Sequence, residues 1–279
     1  MVAAAAVGAM HALHVGWGLE AVKLAVDAHP ALTLGQKLLR RLRRRTVAVT
    51  GTGGAGKTAL ADFLSDRTGI HYIAPRTSHK AEARDVRAGG WPVRLITVPG
   101  QEGPAQNDAV DRLFDKRHPL RPTLHGVIHV VANGYLSLRH DEVEATFVHQ
   151  GLKTLAEFRK VRLKQERDDL ERLCHYIGDC HRRHNGRLRW LIVAVSKADL
   201  YLPDIGEVRS AYMDGEFGKR LDSLKAQLGS HKFGWTALPV CARFEPFKYN
   251  GDTASSEMSD DVRALYARHF LNALGDHCG

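Results

Sequence analysis

A chain of 279 residues has room for one large domain, or for one domain with a sizeable extension. Its residues are 44% hydrophobic and 25% charged, as in ordinary globular proteins, which excludes the disordered and fibrous classes. The 40 basic residues outnumber the 31 acidic ones and give a net charge of +9, but six of them lie within positions 37–45, so the charge is local. Four scattered cysteines favour a reducing compartment, and hence the cytoplasm.

The first 45 residues predict a helical extension that ends in a basic cluster. Met10, Leu13 and Trp17 are spaced for one face of a helix over about residues 3–28. The apolar start of the chain leaves three interpretations open: a helix docked on the protein, a helix lying on a membrane surface, and a membrane span. The cluster at 37–45 fits anionic headgroups at the inner face of a membrane, or a solvated helix end. It has no aromatic residues for base stacking, which disfavours nucleic acid.

Residues 46–50 are apolar and β-branched, which predicts a strand, and a helix-like segment over 57–67 follows. The loop between them fits GxxxxGK[ST] at every position, and reads Gly51-Thr52-Gly53-Gly54-Ala55-Gly56-Lys57-Thr58. Its glycines let successive backbone N–H groups point at phosphate oxygens, and the start of the helix adds its positive dipole end. Lys57 would reach the β- and γ-phosphates, and the Thr58 hydroxyl would bind Mg²⁺. The loop predicts a nucleotide site without choosing the base.

The later part of the chain alternates between strands and helices. Strands are predicted at 71–74, 93–98, 124–132, 190–195 and 237–240, and helices at 100–114, 207–228 and 259–274. This alternation is typical of α/β proteins, so we expect a P-loop three-layer fold whose six-stranded, mostly parallel sheet has helices on both faces. Ligands of such sheets bind at the carboxyl ends of the strands.

A long helical insertion is predicted at about residues 141–184, within a main domain that covers residues 46–279. Apolar residues such as Val148, Leu155 and Phe158 recur at helical spacing, although a much shorter helix would serve to connect two strands. Two interpretations stay open. The segment projects past the sheet as a surface for a protein partner or for self-association, or it is a long solvated helix laced with ion pairs.

Three later strands end in short segments with polar residues. These segments are Pro99-Gly100-Gln101-Glu102, Ser196-Lys197-Ala198-Asp199 and Cys241-Ala242-Arg243. Each is weak alone, because a Pro-Gly turn or a lysine after a strand is common. Their order behind the loop 51–58, here called the phosphate loop, gives them weight, since parallel strands bring all of these segments to one edge of the sheet.

In this order, the motifs resemble those of the Ras-like GTPases of the translation-factor class of P-loop proteins, over about residues 46–274. The resemblance implies a guanine-nucleotide-binding domain that takes GTP or GDP with Mg²⁺. It implies that the Asp199 carboxylate accepts hydrogen bonds from guanine N1–H and N2–H₂, a donor pair that adenine lacks. Lys197 would pack over the base, and the backbone N–H of Ala242 would meet guanine O6.

The resemblance also implies the remaining site residues. Gln101 would orient the attacking water and act with Lys57 as a catalytic residue, while Thr58 and Thr77 would bind the metal. Nucleotide contacts would come from Gly51, Thr52, Gly53, Gly54, Ala55, Gly56, Lys57, Thr58, Ala59, Thr77, Gly100, Ser196, Lys197, Asp199, Cys241, Ala242 and Arg243.

Two positions depart from the family pattern. Thr97 stands where the family has the aspartate that holds Mg²⁺ through a water, and a hydroxyl supplies no negative charge, so we expect weaker Mg²⁺ affinity. Ser196 stands in place of an asparagine and has a shorter reach. Nucleotide binding therefore follows more directly from the sequence than hydrolysis does.

The leading hypothesis is a guanine-nucleotide switch that binds GTP and GDP, hydrolyses GTP slowly and regulates a protein partner. GTP would order residues 76–80 and 100–102, and the partner would bind the ordered surface. A second hypothesis, motivated by Thr97, is a nucleotide-binding pseudo-GTPase scaffold with little or no hydrolysis. A third is an ATPase or kinase that uses the insertion as a lid, and Asp199 argues against it because adenine offers no matching donor pair.

Overall fold

The computed structural model describes residues 45–65, 81–100, 124–138, 141–184 and 188–279, and its centre is a six-stranded sheet. The strands are β1 (Arg45–Thr50), β2 (Glu82–Ala88), β3 (Trp91–Thr97), β4 (Leu124–Val131), β5 (Trp190–Val195) and β6 (Gly234–Pro239). They lie in the order β2-β3-β1-β4-β5-β6, and every pairing is parallel except the antiparallel pair of β2 and β3. The predicted fold class, with its mostly parallel sheet, is confirmed.

Six α-helices, a short 3₁₀ helix (Ala198–Tyr201) and a small hairpin complete the described part of the chain. The helices are α1 (Lys57–Leu64), α2 (Asp141–His149), α3 (Leu155–His184), α4 (Ile205–Asp214), α5 (Glu216–Leu228) and α6 (Asp260–Cys278). The hairpin consists of β7 (Phe247–Tyr249) and β8 (Asp252–Ala254), between β6 and α6. Helix α1 lies beside α6, where the Arg263 guanidinium stacks over the Phe63 ring at 5.5 Å. Helix α3 packs on α5.

The central strands β1, β4 and β5 carry the hydrophobic core. All six residues of β5 are buried, and in β1 all but Arg45 are. Strands that are buried on both faces are continuous apolar runs, which is why the sequence pattern locates them well. Their register is fixed up to the carboxyl ends, where Thr50 pairs with His129 and Val131 with Val195.

The edge of the sheet differs from the sequence expectation. The predicted strand 71–74 and the loop after it lie outside the described residues, and the edge strand β2 was not predicted. Buried and exposed residues alternate along β2, but charges at Arg84 and Arg87 leave it a weak apolar signal. Gly89 and Gly90 make the turn to β3 with φ of +53° and +82°, a turn geometry that favours glycine at both positions.

The segment predicted as an insertion, residues 141–184, contains two helices. Helices α2 and α3 are separated by a turn at Gly151, whose φ of +92° ends the first helix. Helix α3 has 30 residues and buries Phe158, Leu170 and Ile177 in the core. One face of this helix therefore belongs to the core of the main domain, while its other face carries charged residues.

The predicted helix 207–228 is also two helices, α4 and α5. They meet at Gly215, where a Cβ would overlap the carbonyl oxygen of Ala211. Glycine is thus required at the junction, and its extended backbone starts the second helix in a new direction.

The predicted N-terminal extension is outside the described residues. This includes positions 37–44 of the basic cluster, while Arg45 begins β1. Among the helices that the structure describes, none combines the length and the hydropathy that a membrane crossing needs.

Candidate functional site

The loop between β1 and α1 closes around the side chain of Lys57. This lysine is buried, and its Nζ donates to the carbonyl oxygens of Gly51 at 2.6 Å and Thr52 at 3.0 Å. Gly54 and Gly56 have φ of +83° and +91°, in the left-handed region that favours glycine. Gly56 is the N-cap of α1, and no side chain among the described residues caps that helix. The first N–H groups of α1 are therefore not capped by a side chain, and the start of a helix favours a bound anion.

Gly100, just beyond β3, lies directly against this loop. A Cβ at residue 100 would overlap Lys57 Nζ and would stand 2.9 Å from the amide nitrogen of Gly53. Only glycine brings the backbone this close to the lysine and the loop. Gln101 and Thr77 lie outside the described residues, so the roles assigned to them stay predictions.

Two hydroxyl groups stand at the positions that the metal hypothesis uses. Thr97, the last residue of β3, is 2% exposed, and its Oγ1 has no hydrogen-bond partner in the described part of the chain. Buried hydroxyls are nearly always hydrogen-bonded, so this one indicates an absent partner such as an ordered water. Thr58 is half-buried in the first turn of α1. Mg²⁺ prefers oxygen ligands and retains waters, so each hydroxyl is a chemically suitable group for such an ion.

Ser196 and Lys197 join the end of β5 to the loops around it. Ser196 Oγ donates to the carbonyl oxygen of Ala55 at 2.6 Å, which holds the phosphate loop in place. Lys197 Nζ donates to the carbonyl oxygen of Tyr135 at 2.5 Å and to Ser137 Oγ at 2.7 Å. Burial lowers the pKa of Lys197 to about 8, although nearby carboxylates oppose the shift.

Asp199 and Cys241 form a buried pair. Asp199 is 1% exposed, and its Oδ1 accepts from the Cys241 thiol at 3.2 Å. Burial and the neighbouring carboxylate raise the pKa of the Cys241 thiol, so the sulfur stays protonated and acts as the donor. The second carboxylate oxygen, Oδ2 of Asp199, is buried and has no partner among the described residues. Such an oxygen is unusual and indicates that a donor is absent.

A cavity of about 350 Å³ joins these segments. It has the size of a small-molecule site. The predicted site residues that line it come from the start of α1 and from the segments after β1, β5 and β6, and are Gly54, Gly56, Ala59, Ser196, Lys197, Ala242 and Arg243. Asp199 is not part of the lining, because its carboxylate is buried beside Cys241. The segments that follow β1, β5 and β6 therefore meet at one cavity, and the segment that follows β3 is not part of its lining.

Sequence reasoning missed a further loop at this cavity. Residues 132–138, here called the β4 loop, run from the end of β4 across the phosphate loop, and the Ser137 N–H donates to the carbonyl oxygen of Gly54 at 3.2 Å. Tyr135 of the β4 loop packs edge-on against Phe247 of the hairpin at 5.4 Å between ring centres. Phe247 also lines the cavity and lies 5.1 Å from Lys197 Nζ. The turn at Asn250-Gly251 is the sequence signal that could have located this hairpin.

Helix α3 supplies two carboxylates that sequence reasoning also missed. Asp169 Oδ2 accepts from the Thr52 hydroxyl of the phosphate loop at 3.1 Å. Glu166, one turn earlier, accepts from the N–H of Ala132 at 2.6 Å. Both carboxylates lie in a densely charged stretch, so the sequence does not distinguish them from solvent-facing neighbours.

His129 of β4 lies beneath the phosphate loop. Its Nδ1 is 3.1 Å from Thr50 Oγ1, and its Nε2 has no partner among the described residues. Burial lowers the pKa of His129, the charge of Lys57 lowers it further, and Asp169 opposes the shift. The imidazole is therefore neutral near pH 7 and adds no charge to the cluster under the loop.

Comparisons with known proteins show similarity at the level of overall structure. No family model matches the chain, and no curated protein matches it. One similar solved structure is the signal recognition particle receptor SRb-GTP/SRX complex from Chaetomium thermophilum, with 15% identity over 83% of this chain and 97% of that chain and a TM-score of 0.43. Another is Toc33 from Arabidopsis thaliana in complex with GDP and Mg²⁺, with 14% identity over 88% of each chain and a TM-score of 0.43. At these identities the likeness assigns no residue a role.

Proposed function

We propose that this chain is a guanine-nucleotide-binding protein that takes GTP or GDP in the cavity between β1, β5 and β6. The observation that carries the proposal is the buried, unpartnered Oδ2 of Asp199, which lies outside the cavity lining but two residues from Lys197, a residue of that lining. Guanine offers the donor pair N1–H and N2–H₂ to a carboxylate, and adenine does not. The base would lie against Lys197 and the backbone N–H of Ala242, as the family resemblance implies.

The phosphates would bind where the loop closes on Lys57. Lys57 Nζ donates to the carbonyl oxygens of Gly51 and Thr52. A bound phosphate replaces part of that pairing with a stronger, charge-assisted one. The glycine-rich loop and the start of α1 supply the N–H groups around it. Gly100, which lies against the loop, would add its own N–H at the γ-phosphate.

The metal site would be built on hydroxyls. Thr58 would bind Mg²⁺ directly, Thr97 would hold one of its waters, and Thr77 would complete the set. When bound, Mg²⁺ neutralises negative charge on the phosphates. Thr97 supplies no charge of its own, so this chain would hold Mg²⁺ more weakly than an aspartate at that position would.

Slow hydrolysis of GTP is the activity that these residues would support. Gln101 would orient the attacking water, and Lys57 would stabilise charge that develops on the phosphates. The hydroxyl at Thr97 also favours the second candidate, a pseudo-GTPase scaffold that binds nucleotide and hydrolyses little or none. Both candidates share the same binding site and differ in one measurable rate.

The switch would act on a protein partner. GTP would order residues 76–80 and 100–102, and these loops or the segment 141–184 would form the contact surface. Because α3 buries one face in the core, the exposed α2 is the better part of that segment for a partner, and its Val143 is 39% exposed. The protein would be cytoplasmic, and residues 1–45 would place it at the inner face of a membrane through their basic cluster.

Competition for a fluorescent GDP analogue tests the base assignment. We expect unlabelled GDP and GTP to displace it and ADP and ATP to fail. Asp199→Asn should weaken the binding of GDP by about 100-fold and favour xanthine nucleotides, because the donor and acceptor pattern at residue 199 inverts. The matched control is Asp214→Asn, an exposed carboxylate at the end of α4. Equal displacement by adenine nucleotides would refute the assignment.

Phosphate release in a single turnover separates the two candidates. A switch with slow hydrolysis releases phosphate from bound GTP in the presence of Mg²⁺, and Gln101→Leu abolishes that release. A scaffold binds GTP equally well and releases none. Lys57→Ala should abolish nucleotide binding under either candidate.

A further inference from the structure

Glu166 of α3 is a buried carboxylate that the proposed nucleotide chemistry does not use. It is 1% exposed. Its Oε1 accepts from the Ala132 N–H at 2.6 Å, and its Oε2 accepts from the Gly134 N–H at 3.3 Å and from the Tyr212 hydroxyl at 3.2 Å. The ionised carboxylate suits all three donors, because protonation turns one of its oxygens into a donor itself.

The β4 loop connects Glu166 to both halves of the site, which are the phosphate loop and Lys197. Glu166 holds its start through two amides, while its far end donates from Ser137 N–H to the Gly54 carbonyl oxygen in the phosphate loop. Between these points, Lys197 Nζ donates to the Tyr135 carbonyl oxygen and to Ser137 Oγ of the loop. A shift of the β4 loop would therefore move the partners of both the phosphate loop and the base-binding lysine.

A second contact from the same helix supports this arrangement. Asp169 lies one turn after Glu166 and accepts from the Thr52 hydroxyl of the phosphate loop at 3.1 Å. Residues three apart on a helix share a face. One face of α3 thus holds the phosphate loop directly and the β4 loop through Glu166.

We propose that Glu166 is a positioning residue for the nucleotide site: its ionised carboxylate holds the β4 loop in the arrangement that Lys197 and Gly54 need, so nucleotide affinity rises when Glu166 ionises. This inference rests on the proposed function. Glu166 acts through the loop and touches neither phosphate nor base.

The groups around Glu166 set where it titrates. Arg162 faces it from α3, Lys197 from the loop after β5, Tyr212 from α4 and Tyr201 from the turn after β5. Burial raises the pKa of Glu166 to about 7, although its hydrogen bonds and Lys197 oppose the shift. Burial also raises the pKa of both tyrosines well above the ordinary value, so they stay neutral. Glu166 therefore changes charge near neutral pH.

Stability and affinity should then respond to pH in opposite directions. The folded-state pKa of Glu166 lies above its ordinary value of 4.5, so its contribution to stability is present at low pH and is lost as pH rises through about 7. Nucleotide affinity needs the ionised form and is gained over the same range. A purely structural role for Glu166 would not raise affinity where its contribution to stability falls.

The decisive experiment measures the dissociation constant of a fluorescent GDP analogue below the pKa of Lys197. From about pH 7.5 to about pH 6, wild-type protein should bind roughly eightfold more weakly, as the ionised fraction of a group with a pKa of about 7 falls. Glu166→Gln should bind the analogue as weakly at both pH values as wild-type protein does at about pH 6, so its dissociation constant should not change with pH. Glu171→Gln, an exposed carboxylate on the same helix, should follow wild type. Tyr212→Phe removes a donor to Glu166 and should move the midpoint to higher pH.

Hydrogen exchange of the nucleotide-free protein gives a readout that needs no ligand. In the peptide that covers residues 132–138, Glu166→Gln should exchange faster than wild type and Glu171→Gln should not. Unchanged exchange, or a wild-type pH slope in Glu166→Gln, would overturn this inference alone. If wild type fails to bind the GDP analogue at either pH, the proposed function fails, and the affinity claim with it.

Discussion

The thiol of Cys241 donates a hydrogen bond to Oδ1 of Asp199 across 3.2 Å, and both side chains are buried. The bond joins the segments after β5 and β6, which are 42 positions apart in the chain. It fixes one oxygen of the carboxylate and leaves Oδ2 without a partner in the described structure. The thiol also lies 3.3 Å from the Arg243 carbonyl oxygen, and through the contact with Oδ1 it would help to orient the carboxylate toward a base.

Replacing Cys241 by alanine should weaken GDP binding about fivefold, since a hydrogen bond of this kind contributes about 1 kcal/mol. Cys241→Ser keeps a donor and should bind GDP within about twofold of wild type. Competition against a fluorescent GDP analogue measures both variants. If Cys241→Ala binds as wild type does, the thiol does not orient the carboxylate.

Gly100→Ala should weaken nucleotide binding by more than about tenfold, because the new methyl group would overlap Lys57 Nζ and crowd the Gly53 amide. The matched control is Gly206→Ala in α4, where a Cβ meets nothing within 4 Å and the backbone is helical. Isothermal titration with GDP compares the two. Equal affinities would mean that Gly100 moves away from the loop when the nucleotide binds.

Thr97→Asp should make nucleotide binding depend strongly on Mg²⁺. An aspartate at this buried position lacks a partner without the ion, so the nucleotide-free variant should melt lower than wild type. With Mg²⁺ and GDP the loss should reverse, and single-turnover GTP hydrolysis should rise. Thr97→Val, which removes the hydroxyl, should lower the Mg²⁺ dependence instead. If the melting temperature of Thr97→Asp did not change with Mg²⁺, the metal would not bind beside residue 97.

Arg84→Met should destabilise the fold by about 3 kcal/mol, because it removes the interior ion pair between Arg84 and Asp62. Arg84 Nε donates to Asp62 Oδ1 at 2.5 Å and ties the edge strand β2 to α1. For a domain of this size we expect Tm to fall by roughly 6–12 °C. Arg87→Met, an exposed position on the same strand, is the control and should shift Tm by less than about 2 °C.

The sequence predicts the interior of the sheet better than its edge. Strands β1, β4 and β5 are buried on both faces and show as apolar runs, so periodicity and composition locate them. Strand β2 is half-exposed, and Arg84 stays in its buried row because an ion pair with Asp62 compensates its charge. A composition rule counts that arginine as polar and overlooks the strand. The Gly89-Gly90 turn was the stronger signal.

The candidate site shows a similar division. Motifs at strand ends lie together because parallel strands bring them to one edge, so the grouping of the phosphate loop with Ser196, Lys197 and Ala242 follows from the fold. The positions of the β4 loop and of the Glu166 and Asp169 carboxylates at the site cannot be predicted in this way. Their roles depend on the rotation of α3 about its axis, and a charged helix with many acids does not reveal which ones face inward.

The β7–β8 hairpin fastens the loop 241–246 to a distant part of the chain. The Tyr249 hydroxyl donates to the Leu152 carbonyl oxygen at 2.6 Å, and Asp252 accepts from the Leu155 N–H at 2.9 Å, each across 97 positions. Contacts between such distant positions form late, because closing a long loop loses entropy before the contact can stabilise it. We therefore expect the base-facing side to order after sequence-local pairs such as β2 and β3 during refolding, and a nascent chain to complete it only after the hairpin has left the ribosome.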